Sequence, residues 1–251
     1  MKRKEDNQLV IGRNPVLELL RSGKQVEKIY LQSGTKGEFE IELRNLLKGK
    51  NIPVSHVHPA KLDGITKQAH QGVIAIASVI DYIEIEDLID SIYYKGDTPS
   101  LLFLDQITDV RNLGSIIRTA EVLGAHGVIL SSKNTAIINH ITIKASAGAV
   151  FNIPVCKVKS AANAIEYLKN TGISIFASDL LSNTSISNIN FKNPYCVILG
   201  SEDEGISHHM LKISDQHFKI PQTGQTDSLN VAVSAGVILY EALRQRGASE
   251  K

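Results

Sequence analysis

The stretch Tyr195-Cys-Val-Ile-Leu-Gly-Ser-Glu-Asp-Glu-Gly205, followed by Phe218-Lys-Ile-Pro221 and then Ser228-Leu-Asn-Val-Ala-Val-Ser-Ala-Gly236, decides how this chain is read. Val197 to Leu199 form an apolar run that stops at Gly200, the pattern of a buried strand delivering a loop. Gly200 and Gly205 bracket three carboxylates, Glu202, Asp203 and Glu204. Glycines at such places let backbone approach a ligand or take positive φ. A second short strand ends at Ile220-Pro221. Beyond it, Asp227 or Ser228 is placed to cap a helix with Leu229, Ala232, Val233, Gly236, Leu239, Tyr240 and Leu243 on one face. Ala232 and Gly236 lie one turn apart, and their small side chains permit close approach of another element or another subunit. Two loops at strand ends beside such a helix suggest a pocket; an ordinary α/β turn with a core helix accounts for the same pattern.

The 251 residues suffice for one large or two modest domains, and the 43 % apolar content supports a core. No apolar run is long enough to cross a bilayer, and none follows the basic start Met1-Lys-Arg-Lys, so a cytoplasmic protein is expected. Cys156 and Cys196 lack Cys-x-x-Cys spacing and read as buried thiols of a reducing compartment. Charge is unevenly spread. Residues 1–78 carry 13 Lys and Arg against 8 Asp and Glu, residues 79–98 carry 1 against 6, and residues 99–251 carry 13 against 12. A basic front segment set off by an acidic strip fits a polyanion partner.

Outward from the deciding stretch, the pattern is alternating. In the front segment, 1–78, Asn14-Pro15 opens a short helix over Val16 to Leu20, Val26 to Leu31 is a strand, and Glu38 to Lys48 is helical. Strands at Val54 and at Gly72 to Ser78 follow, with a short helix over Ala60 to Gln68 between them. The acidic stretch 79–98 reads as a connection, partly helical through Ile85, Leu88, Ile89 and Ile92. The second domain, 99–251, opens with the strand Leu101 to Leu104. Leu113, Ile116, Ile117, Ala120 and Leu123 then share one helix face, with Arg118 on the opposite side. Further strands near Val128, Val155 and Ile173 alternate with helices. This order predicts a small α/β domain followed by an α/β domain with a mostly parallel sheet covered on both faces.

Familiar site motifs are missing. There is no G-x-G-x-x-G after a first strand, no Walker A sequence, no H-E-x-x-H and no G-x-S-x-G. His56, His58 and His70 lack tight ligand spacing and read as solvated or capping groups rather than a metal site.

Three separated blocks together resemble the SpoU/TrmH family of RNA ribose 2′-O-methyltransferases, of the knotted SPOUT superfamily. They are Asp105-Gln-Ile-Thr-Asp-Val-Arg-Asn-Leu-Gly-Ser-Ile-Ile-Arg118-Thr-Ala, Ile198-Leu-Gly-Ser-Glu-Asp-Glu-Gly-Ile206, and Ile220-Pro through Ser228-Leu-Asn-Val-Ala-Val-Ser. Lys144-Ala-Ser-Ala-Gly-Ala149 fits the same family, as do Gly12-Arg-Asn-Pro-Val16 and His70-Gln-Gly-Val73 at the front. The match is nearest to the type that modifies a guanosine of 23S ribosomal RNA. Val110 stands where the family usually has proline, and Asp203 where many members have another residue.

The resemblance implies a deep trefoil knot at the closing segment and a bent S-adenosylmethionine in its loops. It implies cofactor contacts at Gly200, Ile220 and Leu229, largely through backbone, with glycine at 200 leaving room for adenosine. It points to Arg118 as the catalytic group, with Asn112, Glu202, Ser228 and Asn230 orienting the site. It also implies an RNA-binding front domain, a homodimer and no metal. Methylation of transfer RNA, or RNA binding without catalysis, are the competing expectations.

Overall fold

The computed structural model describes residues 8–132, 134–201, 204–226 and 228–247. The chain divides into two compact units. The first runs to Asp81 and includes Ile137–His140; the second comprises Tyr82–Ala136 and the chain from Ile141 onward.

The first unit is built on a four-stranded sheet in the order β1-β4-β2-β3, with β1 Leu9–Ile11, β2 Val26–Gln32, β3 Val54–Val57 and β4 Val73–Ala77. β4 runs antiparallel to both neighbours, and β2 and β3 are parallel. Helices α1 (Arg13–Arg21), α2 (Glu38–Leu47) and α3 (Pro59–Ile65) join the strands. Val16, Leu20, Ile29, Leu43 and Val73 are buried together in its core. Helix α1 begins earlier than the Asn14-Pro15 pair suggests. Gly12, at φ 97°, turns the chain into it, and the Arg13 N–H is taken by Gln71 Oε1 at 3.0 Å. The Gly12-Arg-Asn-Pro and His70-Gln-Gly segments thus fold against each other.

The second unit holds six parallel strands in the order β10-β8-β9-β5-β6-β7. They are β5 Ser100–Leu104, β6 Gly127–Ser131, β7 Val155–Val158, β8 Ser174–Ser178, β9 Tyr195–Leu199 and β10 Gln216–Phe218. Every residue of β5, β6 and β9 is buried, as expected of strands covered on both faces. Leu101, Phe103, Cys196 and Ile198 share a core with α4 (Ile85–Tyr94), α7 (Ala161–Asn170) and α8 (His208–Ile213). Alternation along the strands sends Leu102, Leu104 and Val197 to the other face, where α5 (Val110–Val122) and α9 (Val231–Arg246) pack on each other. A short α6 (His140–Ala145) precedes a 3₁₀ turn at Ala149–Phe151.

Two expectations are revised here. The acidic stretch 79–98 is more than a connection, since Ile85, Leu88, Ile89 and Ile92 of α4 are buried in this core. Helix α9 buries Val231, Ala235, Ile238, Leu239 and Ala242, so of the face read from spacing only Leu239 is buried. Asp227 lies outside the described residues, and the cap is Asn230.

The C-terminal end of α9 is clasped to the sheet by Arg246. Its guanidinium donates to the carbonyls of Phe191, Thr98, Pro99 and Asn193 and lies 4.7 Å from the Tyr195 ring centroid. Burial lowers the Arg246 pKa. Tyr195 is itself wedged among Phe176 and Phe191, and its hydroxyl meets Ser100 Oγ at 2.6 Å. Among the described residues no helix is long and apolar enough to cross a membrane.

Candidate functional site

The carboxyl ends of β8, β9 and β10 and the amino end of α9 enclose a cavity of about 670 Å³. Open parallel sheets collect ligands at this edge, where successive connections diverge to opposite sides. The divergence is present here, because the chain leaves β7 at one side of β5 and continues at β8, beyond β9 on the other.

Gly200, Ile220, Ser228 and Leu229 all line the cavity. Glu202 lies outside the described residues. Asn230 stands at its rim as the cap of α9: its Oδ1 accepts the N–H of Ala232 at 2.9 Å and of Val233 at 3.4 Å. The Asn230 amide then donates to Asn112 Oδ1 at 3.1 Å. Asn112 is in the first turn of α5, whose own cap is Asp109, accepting from the Arg111 and Asn112 N–H groups at 2.8 Å each. The helix starts of α5 and α9 are thus tied side by side. Val110 is the first residue of α5, a position suited to proline, so the departure from the family pattern costs no hydrogen bond.

Arg118 is brought less close. It lies just under two turns along α5 from Asn112, about 9 Å by helical rise, and does not line the cavity. Its side chain is exposed and makes no ion pair with another described residue.

Spacing alone did not find Asp105. This carboxylate is 5 % exposed at the end of β5, and its Oδ2 accepts the Ser207 N–H at 2.9 Å. The Asp105 N–H reaches Leu199 O at 2.8 Å, so one residue binds β5 to both ends of the Gly200–Ile206 loop. An acid directly after an apolar run was the available signal.

The glycines have steric causes. A Cβ on Gly200 would lie 2.1 Å from the carbonyl carbon of Gly205 and 2.2 Å from Ile206 N. Contact with its own loop already requires glycine here, before any ligand is considered. Ser201 and Gly205 close that loop with two backbone bonds of 3.0 Å. A Cβ on Gly114 would lie 2.6 Å from the Ala145 Cβ and 2.7 Å from Thr142 O. The Asn112-Leu-Gly and Lys144-Ala-Ser segments therefore meet as a small-residue notch between α5 and α6.

Other candidates are structural. Burial pushes the Cys156 thiol up to about 12 and raises that of Cys196, so neither is a ready nucleophile. His58 caps α3, and His70 joins Asp63 at 3.0 Å while accepting the Gly72 N–H.

A two-unit chain with a ligand cavity at the carboxyl edge of a parallel sheet defines a class, and comparison with known proteins defines the family. Residues 99–240 match the SpoU rRNA Methylase family, and residues 9–82 match the domain described as RNA 2′-O ribose methyltransferase substrate binding. The TrmH family tRNA/rRNA methyltransferase YacO of Bacillus subtilis is 33 % identical over 243 residues, covering 96 % of this chain and 97 % of its own. The crystal structure of the SpoU methyltransferase AviRb from Streptomyces viridochromogenes, in complex with AdoMet, superposes with a TM-score of 0.61 at 25 % identity, over 96 % of this chain and 91 % of that one. A TrmH/SpoU tRNA modifying enzyme of A. aeolicus gives a TM-score of 0.52 at 26 % identity over 65 % of this chain and 84 % of its own. The chain belongs to the SpoU/TrmH family of RNA methyltransferases.

Proposed function

We propose that this chain transfers a methyl group from S-adenosylmethionine to the 2′-hydroxyl of a guanosine ribose in 23S ribosomal RNA. The observation that carries the reading is the gathering of Gly200, Ile220 and Leu229 around one cavity. Its volume of about 670 Å³ is within the usual size for a small-molecule site. Apolar walls from Leu199 and Ile206 suit a purine, and polar side chains at Asp179, Ser228 and Lys219 suit the rest of the molecule. The cofactor, when bound, supplies an electrophilic methyl group.

The protein's own residues position the acceptor. A guanidinium is charged at any ordinary pH and has no acceptor site, so Arg118 does not serve as a simple base. It pairs with an RNA phosphate and stabilises the alkoxide that develops as the ribose proton leaves. The Asn112–Asn230 bond fixes α5, which carries Arg118, to the loop that carries Leu229. Ser228 and Glu202 complete the orienting set. Positioning of this kind supplies much of the rate in a transfer between two bound groups.

The assembly reading is a homodimer. Val233, Val237 and Tyr240 of α9 are 51 %, 37 % and 61 % exposed and lie along one helical stripe. A second copy covering them is the arrangement that carries an Arg118 toward a cavity it does not line. Gly236 faces Thr119 of its own α5, 3.7 Å from a built Cβ, so the small-residue part of the face is spent within the chain. Sedimentation at micromolar concentration should give twice the chain mass; a monomer would remove this part of the proposal. The front segment, 1–78, grips RNA, and 99–251 carries out the transfer in the cytoplasm. The trefoil knot belongs to the same reading, with the chain from β10 crossing the cavity to bring α9 onto α5.

Transfer RNA is the competing target, supported by the likeness to the A. aeolicus enzyme. The deciding assay supplies labelled S-adenosylmethionine with 23S ribosomal RNA or with bulk transfer RNA, then maps ribose methylation by alkaline cleavage. A single protected guanosine in 23S RNA is the expected result. Label in transfer RNA alone would move the substrate. Label in neither, with RNA still bound, would favour a binding factor without catalysis.

A further inference from the structure

Two oppositely charged side chains face the cavity without pairing to each other. Asp179 follows β8 and Lys219 follows β10, one residue beyond the Ser178–Phe218 register pair. Lateral neighbours in a parallel sheet point the same way, and both residues line the cavity. Their separation exceeds ion-pair range, and Lys219 makes no ion pair with any described residue.

The acid is held in place. Asp179 Oδ1 accepts the Leu181 N–H at 3.0 Å, and the Asp179 N–H reaches Phe218 O at 2.8 Å. Its other oxygen lies 3.6 Å from His217 Nδ1, beyond ordinary hydrogen-bond reach, and so keeps acceptor capacity. The Asp179 side chain is only 19 % exposed. The lysine backbone is fixed as well, its N–H bonded to Thr184 O at 2.8 Å and its carbonyl accepting from Ile186 at 2.9 Å. A partly buried carboxylate and a half-buried ammonium, each with open valences toward one cavity, call for a ligand offering both signs.

Resting on the cofactor reading above, we infer that Asp179 and Lys219 hold the amino-acid end of the cofactor, Asp179 taking its α-ammonium and Lys219 its α-carboxylate. The adenosine half offers hydroxyls for Asp179 but no anion for Lys219, so a zwitterion accounts for both side chains where a nucleoside accounts for one. The cavity would then favour ligands with the methionine-type tail over those without it.

The test is calorimetric titration of the full chain with S-adenosylhomocysteine and with 5′-methylthioadenosine, which keeps the nucleoside and lacks the amino acid. Asp179→Asn retains an acceptor for the Leu181 N–H, and Lys219→Met retains the aliphatic stem; melting curves check that both fold. Each variant should bind S-adenosylhomocysteine roughly 10- to 100-fold more weakly, the scale of one lost charge-assisted contact, and 5′-methylthioadenosine within about twofold of the parent. Equal losses for both ligands would assign the pair to the nucleoside and overturn the inference. Unchanged binding of both would also overturn it. Failure of the unaltered protein to bind either ligand would sink the cofactor reading itself, and this inference with it.

Discussion

Arg118→Ala is expected to lower methyl transfer by about 10³-fold, the scale of losing one donor to a developing oxyanion, while S-adenosylmethionine binding stays within about twofold. The separation follows from geometry. Arg118 is exposed on α5 and does not line the cavity, so its loss takes no wall from the cavity of its own chain. The side chain makes no ion pair with another described residue, and the melting temperature should hold. Arg118→Lys separates its two roles. A lysine keeps the charge for a phosphate but loses the planar fork, so RNA affinity should recover in this variant while most of the rate stays lost. RNA binding by Arg118→Ala should show a salt slope shallower by about one. Retained turnover in single-turnover assays would take Arg118 out of the chemistry.

The second large effect is expected at Gly200. A methyl group there would sit 2.1 Å from backbone of Gly205, with no flexible side chain to yield. Relief requires opening the Ser201–Gly205 turn, which two hydrogen bonds close and the Asp105–Ser207 contact anchors to β5. Gly200→Ala should therefore destabilise the protein by about 3 kcal/mol, at the upper end for overpacking, and weaken cofactor binding beyond detection. Gly205→Ala is the control. Gly205 has φ +68° but open space around a built Cβ, so that change should cost only about 1–2 kcal/mol of backbone strain. Thermal melts with and without S-adenosylhomocysteine measure both; equal effects at the two positions would contradict the steric account.

Much of the second unit was legible because its central parallel strands are largely apolar. Leu101 to Leu104 and Val197 to Leu199 announce themselves by hydrophobicity alone, and Asn112 to Gly124 shows helical period with a stop. Recognition of the site needed all three blocks, since contacts such as Asn112 to Asn230 span 118 positions and leave no local trace. Three features stayed hidden for physical reasons. The stripe of Ile85, Leu88, Ile89 and Ile92 is legible as a helix, but the acidic charges of 79–98 mask its burial in the core. Helix α9 carries apolar residues on nearly every side, so period could not tell its core face from its exposed one. Asp179 and Lys219 follow different strands and come to one cavity only through the sheet register.

The most direct measurement is a crystal structure of the chain with S-adenosylhomocysteine. The account predicts the nucleoside against the backbone at Gly200, Ile220 and Leu229, between the carboxyl ends of β8, β9 and β10. A cavity closed by its own side chains, or ligand bound on another surface, would contradict it.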